Sequence, residues 1–182
     1  MVFTHDTAVA LQAAVRLANS AEAPDTLDAV ATLDAYFEEF EYTGRHDRTR
    51  EELDGVRALR PTLRRLLTSD RDTAVELVNE LLARHHAVPR LVRHGPWDWH
   101  LHATDGERPL AERIAVETAM AMIDVIRADE MSRLSRCDDP ECDGVVVDLS
   151  RNRSRRFCST SCGNRVAAAA YRARRRDGAD AG

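Results

Sequence analysis

Four cysteines carry the most definite chemistry in this chain. Cys137, Cys142, Cys158 and Cys162 are its full complement, spaced C-x4-C-x15-C-x3-C within the last quarter. Two close pairs separated by a mid-length loop suit a tetrahedral thiolate site. Each pair offers two sulfurs from one turn, and the loop lets the turns face each other across one ion. Four sulfur ligands favour zinc over magnesium or calcium. Two alternatives stand beside it: four thiolates also hold an iron centre, and paired cysteines form disulfides in an oxidising compartment. The reading adopted is one structural Zn2+ per chain, held by all four cysteines.

A second cluster lies upstream, where His94, Asp98, His100 and His102 fall close together. Such a set suits a metal site or an acid–base pair. The chain has no HExxH, no nucleophile elbow and no phosphate-binding glycine loop. The plainer reading is the polar outer face of a small sheet, so no enzyme is expected. A metal-dependent enzyme at this cluster is the alternative.

The charges are unevenly placed. The chain has 182 residues and a net charge of −5, yet all 26 of its basic residues are arginine. Residues 151–176 hold nine arginines and no acid: Arg151, Arg153, Arg155, Arg156, Arg165, Arg172, Arg174, Arg175 and Arg176. An acidic body with a basic end points to a polyanionic partner. Arg165, Arg172 and Arg176 share one helical face. The competing use of these groups is internal: pairing with the acidic body, offsetting thiolate charge, or favouring a helix C-terminus. Phe157 and Tyr171 alone do not make a stacking platform for single strands, so a duplex is favoured.

These groups need elements to hold them. Gly144–Leu149 is β-branched, Ser150–Ser154 reads as a turn, and Arg155–Phe157 leads into Cys158, which together predict a short hairpin. Ser159 or Ser161 can cap a following helix that carries Cys162 and the alanine run 167–170. Val145, Val147, Phe157, Val166 and Ala170 are the expected small core of this unit. Residues 4–136 read mainly as helices, capped at Asp6, Asp25 and Asp70, with Pro61 as a kink or break and Pro109 opening a long last helix that runs close to Cys137. Residues 90–102 break the pattern as a β-hairpin. Alternation places Trp97, Trp99 and Leu101 against the helices and Asp98, His100 and His102 outward.

At 43% apolar and 31% charged the chain is too apolar for disorder and too charged for a membrane protein. No apolar run approaches a membrane span, and the first residues do not read as a signal peptide. A cytoplasmic protein with no membrane partner is expected.

Cys162-Gly163-Asn164-Arg165 resembles the signature of the CGNR-type zinc fingers, over a stretch from about Arg136 to Arg176. The rest of the chain is similar in length and helical pattern to the ABATE-type domain that precedes this finger. The resemblance implies a bacterial, stress-induced transcription regulator whose finger binds DNA. The expected architecture is mainly α: a multi-helical domain at 1–134 with one small β-hairpin, a treble-clef-like finger of hairpin plus helix at 135–176, and a disordered tail at 177–182. The expected function is transcription regulation. The arginine-rich surface would contact double-stranded DNA, and the helical domain would bind a small-molecule effector or form a homodimer. A protein–protein adaptor is the runner-up.

Overall fold

A computed structural model describes residues 3–93 and 99–179. Six helices and a two-stranded sheet build the N-terminal body. They are α1 (His5–Asn19), α2 (Val30–Glu39), α3 (Arg50–Arg57), α4 (Arg60–Thr68), α5 (Arg71–Arg84), β1 (Arg90–Val92), β2 (His100–His102) and α6 (Leu110–Arg127). A 3-10 turn at Met131–Arg133 leads to β3 (Leu134–Arg136), β4 (Val145–Val147) and α7 (Thr160–Ala179). Both sheets are antiparallel pairs. This is the mainly helical fold with two small hairpins that the pattern predicts. α7 runs on to Ala179, past the expected end of the finger at 176.

The helix ends show which polar residues do the capping. Asp70 accepts the Thr73 N–H at 3.0 Å and opens α5 as expected. Pro61 breaks the chain into α3 and α4, and sits in the first turn of α4, where its missing N–H costs nothing. Two expected caps fall elsewhere. α1 begins after Thr4, not Asp6, and α2 begins after Ala29, not Asp25. Asp25 instead receives the guanidinium groups of Arg60 (2.8 and 2.9 Å) and Arg57 (2.8 Å), chiefly Arg60, which holds its carboxyl down at about 2. A charge with two bidentate-capable partners is worth more to this carboxylate than one N–H at a helix end.

Leu11, Leu17, Leu33, Leu53, Leu63 and Ile114 are among the fully buried side chains of one continuous core. α6 does not run close to Cys137, as the pattern suggested. It stops at Arg127 because Asp129 takes a left-handed conformation (φ 57°). The Glu130 N–H then bonds back to Val125 O (2.9 Å) and Asp129 N–H to Ile126 O (3.3 Å). That pair of bonds is a Schellman ending, which satisfies carbonyls the helix would leave bare. Leu134 belongs to β3 rather than to the helix.

The C-terminal unit is seated on the body through its own strands. The expected partner of the 144–149 strand is Arg155–Phe157. Instead β4 pairs with β3, Leu134 opposite Val147 and Arg136 opposite Val145. The 155–157 segment keeps only looser bonds, Arg156 O accepting from Asp138 N–H at 3.0 Å and Arg155 N–H donating to the Asp148 carboxylate at 2.6 Å. Alternation along β4 has a clear use. Val145 and Val147 enter the core of the body, while Val146 faces the other way, among Cys137, Cys162 and Phe157. Of the small core expected for the finger, Val145 and Val147 thus serve the body, and Ala170 is exposed.

Asn19, the last residue of α1, clamps this junction. Its amide donates to Val145 O (2.8 Å) and accepts from Val145 N–H (2.7 Å), a strand-like pairing supplied by a side chain. Arg64 adds bonds to Asp143 O, Ala18 O and Glu22. Asn19→Leu would leave both Val145 backbone groups unpaired, at about 1–3 kcal/mol each at most. The expected result is a thermal midpoint lower by roughly 5 °C in calorimetry; an unchanged midpoint would show that the clamp contributes nothing.

Candidate metal centre

β3 and β4 converge on the turn that carries the first two cysteines, and α7 starts with the last. The four Sγ atoms all lie within 4.8 Å of one another. Cys142 and Cys158 Sγ are 3.5 Å apart, Cys158 and Cys162 Sγ 3.6 Å. Four sulfurs around one zinc at bond lengths near 2.3 Å would stand about 3.8 Å apart. The distances are far too long for a disulfide, and the cysteines are free thiols. The residues present therefore fit a tetrahedral zinc ion, with all four predicted ligands brought together. Zinc supplies there the cross-link that holds knuckle, strand and helix in one unit.

Several N–H and O–H groups point at the sulfurs. Gly144 N–H donates to Cys142 Sγ (3.3 Å) and Cys158 N–H to Cys137 Sγ (3.4 Å). Ser159 caps α7: its hydroxyl accepts the Cys162 N–H at 3.3 Å and donates to Cys162 Sγ at 3.3 Å. These contacts favour thiolate at Cys162, whose pKa is lowered chiefly by Ser159. Burial pushes the Cys142 and Cys158 thiols up. Thiols that resist ionisation on their own would release their protons to solvent as a metal binds, so affinity for zinc here rises with pH.

The Cys-Gly-Asn-Arg stretch acquires a physical reading. Cys162 is a ligand. A side chain at Gly163 would place its Cβ 3.3 Å from the Phe157 ring, so glycine lets the helix sit against Phe157 without displacing the ring by a few tenths of an ångström. Arg165 donates to the buried Asp139 carboxylate (2.7 and 2.6 Å) and to Cys162 Sγ (3.4 Å). Asp139 in turn accepts the Glu141 N–H and shapes the knuckle between Cys137 and Cys142. Arg165 thus braces the knuckle against α7 and would offset the net −2 of four thiolates around a divalent ion. Gly144 is more tightly constrained: a Cβ there would lie 2.7 Å from Cys158 Sγ. Asp139 and Gly144 were not singled out in the sequence, although an aspartate within a Cys-x4-Cys turn is a usable signal for a knuckle brace.

The nine arginines divide into two groups. Arg153 pairs with Glu130 (2.7 Å) and Ser132, and Arg156 with Asp138 (2.6 Å). Arg155 donates to Phe157 O and Cys158 O, and Arg165 is held by Asp139. Arg151, Arg172, Arg174 and Arg176 make no hydrogen bond or ion pair among the described residues. Arg175 lies only over the Tyr171 ring, 6.0 Å from its centroid. From Ala167 to Arg176 every residue of α7 is exposed, whichever face it lies on.

The histidine hairpin forms with Arg90 opposite His102 and Val92 opposite His100. Its faces are the reverse of the expectation. Trp99 (62% exposed) and Leu101 (48%) are the outer residues, whereas His100 and His102 are half-buried, Nε2 to Nε2 at 3.0 Å. With three residues per strand the sheet has no large core of its own, and its pose is set by what the body offers it. His94, Trp97 and Asp98 lie outside the described residues. Among those described, the four cysteines are the one cluster of three or more metal-ligating side chains, and no helix is long and apolar enough to cross a membrane.

A helical body that shares its core with a four-cysteine knuckle, hairpin and helix defines a protein with a C-terminal zinc finger. Residues 133–175 match the CGNR zinc finger, and residues 11–129 match the ABATE family, described as "Putative stress-induced transcription regulator". The chain belongs to the ABATE family, with the CGNR finger following in the expected order. No curated protein matches the chain.

Proposed function

We propose that this chain is a cytoplasmic, non-enzymatic transcription regulator that contacts double-stranded DNA through the exposed length of α7, with the helical body as its effector-binding part. The observation that carries the reading is the bare helix. A helix exposed on all faces gains nothing from packing, and here it carries Arg172, Arg174 and Arg176 with no acidic partner among the described residues. An α-helix fits the major groove of B-DNA, and arginine serves phosphates and guanine edges alike. The alanines at 167–170 leave room for close approach of the backbone to a partner. Arg175, over the Tyr171 ring, and Arg151, on the loop after β4, extend the free set to five.

Titration of a fluorescent duplex across roughly 50–200 mM salt tests this. Five phosphate contacts give a slope of log affinity against log salt of about −4 to −5. Absence of binding to duplex at the lowest salt removes the DNA reading, and tight binding to a single strand alone moves the target to another nucleic acid.

A further inference from the structure

A cavity of about 680 Å³ lies between α1, α6, the segment 40–43 and the β1–β2 hairpin, and no residue of the C-terminal unit lines it. That size suits one small organic molecule. Its walls are mostly apolar, with Val9, Phe40, Met120 and Ile123 among them. Glu117 of α6 opens into it. The Glu117 carboxylate makes no hydrogen bond or ion pair among the described residues. The nearest cation, Arg113 one turn earlier, is committed to the backbone carbonyls of Thr43, Arg45 and Arg108. Glu117 is half-buried with its oxygens open to the cavity, so whatever fills the cavity, water or a ligand, supplies their hydrogen-bond donors.

The rest of the lining sets the sign of that partner. Asp124, also on α6, is already satisfied by the Thr7 hydroxyl (2.6 Å). α1 contributes His5 and Asp6, and the sheet contributes His100 and His102. Tyr42 lines the cavity, with Tyr36 stacked behind it at 5.9 Å; burial raises both phenols, so both stay neutral. Glu41 and Arg127 are exposed at the rim. Carboxylates therefore outnumber the guanidinium group, and Phe40 and Tyr42 are aromatic members of the wall. Aromatic faces with carboxylates recognise organic cations. An anion would have to approach Glu117 and Asp124 with only the rim Arg127 and imidazoles in its favour.

We propose that this cavity binds a small amphipathic ammonium compound, its cation on Glu117 and its apolar body against Phe40, Met120 and Ile123. The proposal rests on the reading of the helical body as the effector-binding part and names the chemical class of that effector. Burial raises the Glu117 carboxyl to about 7. The bound cation favours the ionised form, so affinity for the amine rises as pH goes from about 6 to 8.

The probes are 2-phenylethylamine, 2-phenylethanol and 3-phenylpropanoate, compared by calorimetric titration of the full chain without DNA. The amine is expected to bind at least about tenfold more tightly than the alcohol or the acid at pH 8. Glu117→Gln is expected to keep the fold, because it removes an unpartnered carboxyl without changing its shape, and to weaken the amine by about tenfold or more. On the unaltered protein, a gain in amine affinity between about pH 6 and 8 that the alcohol does not share is an independent sign of Glu117 ionisation. Amine binding no tighter than alcohol, preference for the acid, or full amine affinity in Glu117→Gln overturns the proposal. Since no nucleic acid is present, failure of duplex binding leaves this result intact, and the converse holds equally.

Discussion

Removal of zinc by a strong chelator is expected to unfold the C-terminal unit and to lower the thermal midpoint of the whole chain by more than about 10 °C. A structural zinc site contributes roughly 10–16 kcal/mol of apparent binding free energy, as much as an entire domain's net stability of about 5–15 kcal/mol. Little else holds the finger. Its own buried cluster is Cys137, Val146 and Cys162, with Phe157 and the other two cysteines partly buried. The effect reaches the body because Val145 and Val147 sit in the body's core and Asn19 is clamped on Val145. Gly144→Ala should do the same without a chelator, since its Cβ would stand 2.7 Å from Cys158 Sγ and 3.1 Å from Cys142 Sγ. Metal analysis is expected to return one zinc per chain for the unaltered protein and much less for Gly144→Ala. An identical melting curve with and without chelator would refute the centre as the mainstay of this unit.

Replacement of Arg172, Arg174, Arg175 and Arg176 by alanine should abolish most duplex binding and leave the fold alone. Four lost phosphate contacts flatten the salt slope by about 3–4 and weaken affinity on the order of a thousandfold near 0.1 M salt. Alanine is the strongest helix former, so α7 stays helical and circular dichroism should not fall. Arg165→Ala makes the contrast. Its guanidinium is engaged by Asp139 and Cys162 Sγ, so that variant should lose zinc affinity first, and DNA affinity only as a consequence. An unchanged salt slope in the fourfold variant would move any nucleic-acid surface away from α7. Anisotropy of a labelled duplex across a salt series measures both variants directly.

Legibility in the sequence followed the range of each interaction. The four-cysteine cluster could be read from spacing because a close pair needs only one turn to present two sulfurs, and Ser159 as a cap because the contact is three residues long. Helix existence was also legible, since α5 and α6 carry apolar residues at helical period. The end of α6 was not, because Asp129 in a left-handed conformation has no strong mark in composition. The partner of β4 was misread for a related reason. Residues 155–157 are nearer along the sequence after a turn-like stretch, but β3 offers a strand already anchored on α4 and the body core.

Glu117 could have been found. It falls seven residues after Leu110 and three after Ile114, on the stripe of α6 that faces inward, and an acid on such a stripe asks for a partner. The inward turn of His100 and His102 had no such signal. A sheet of two three-residue strands reverses its faces with a small change of pose, and only the helices beneath it choose between them.

What the chain determines by itself is the set of short-range commitments: the thiolate pairs, the alanine-rich helix, the arginines along it and the helical periods of the body. The tertiary structure alone decides which of those arginines are spent on Glu130, Asp138 and Asp139 and which stay free, and that the finger rests on Asn19 and the body's core. The charge partners of those arginines lie some twenty positions away and the Asn19 clamp on Val145 more than a hundred, and no local pattern records contacts of that length.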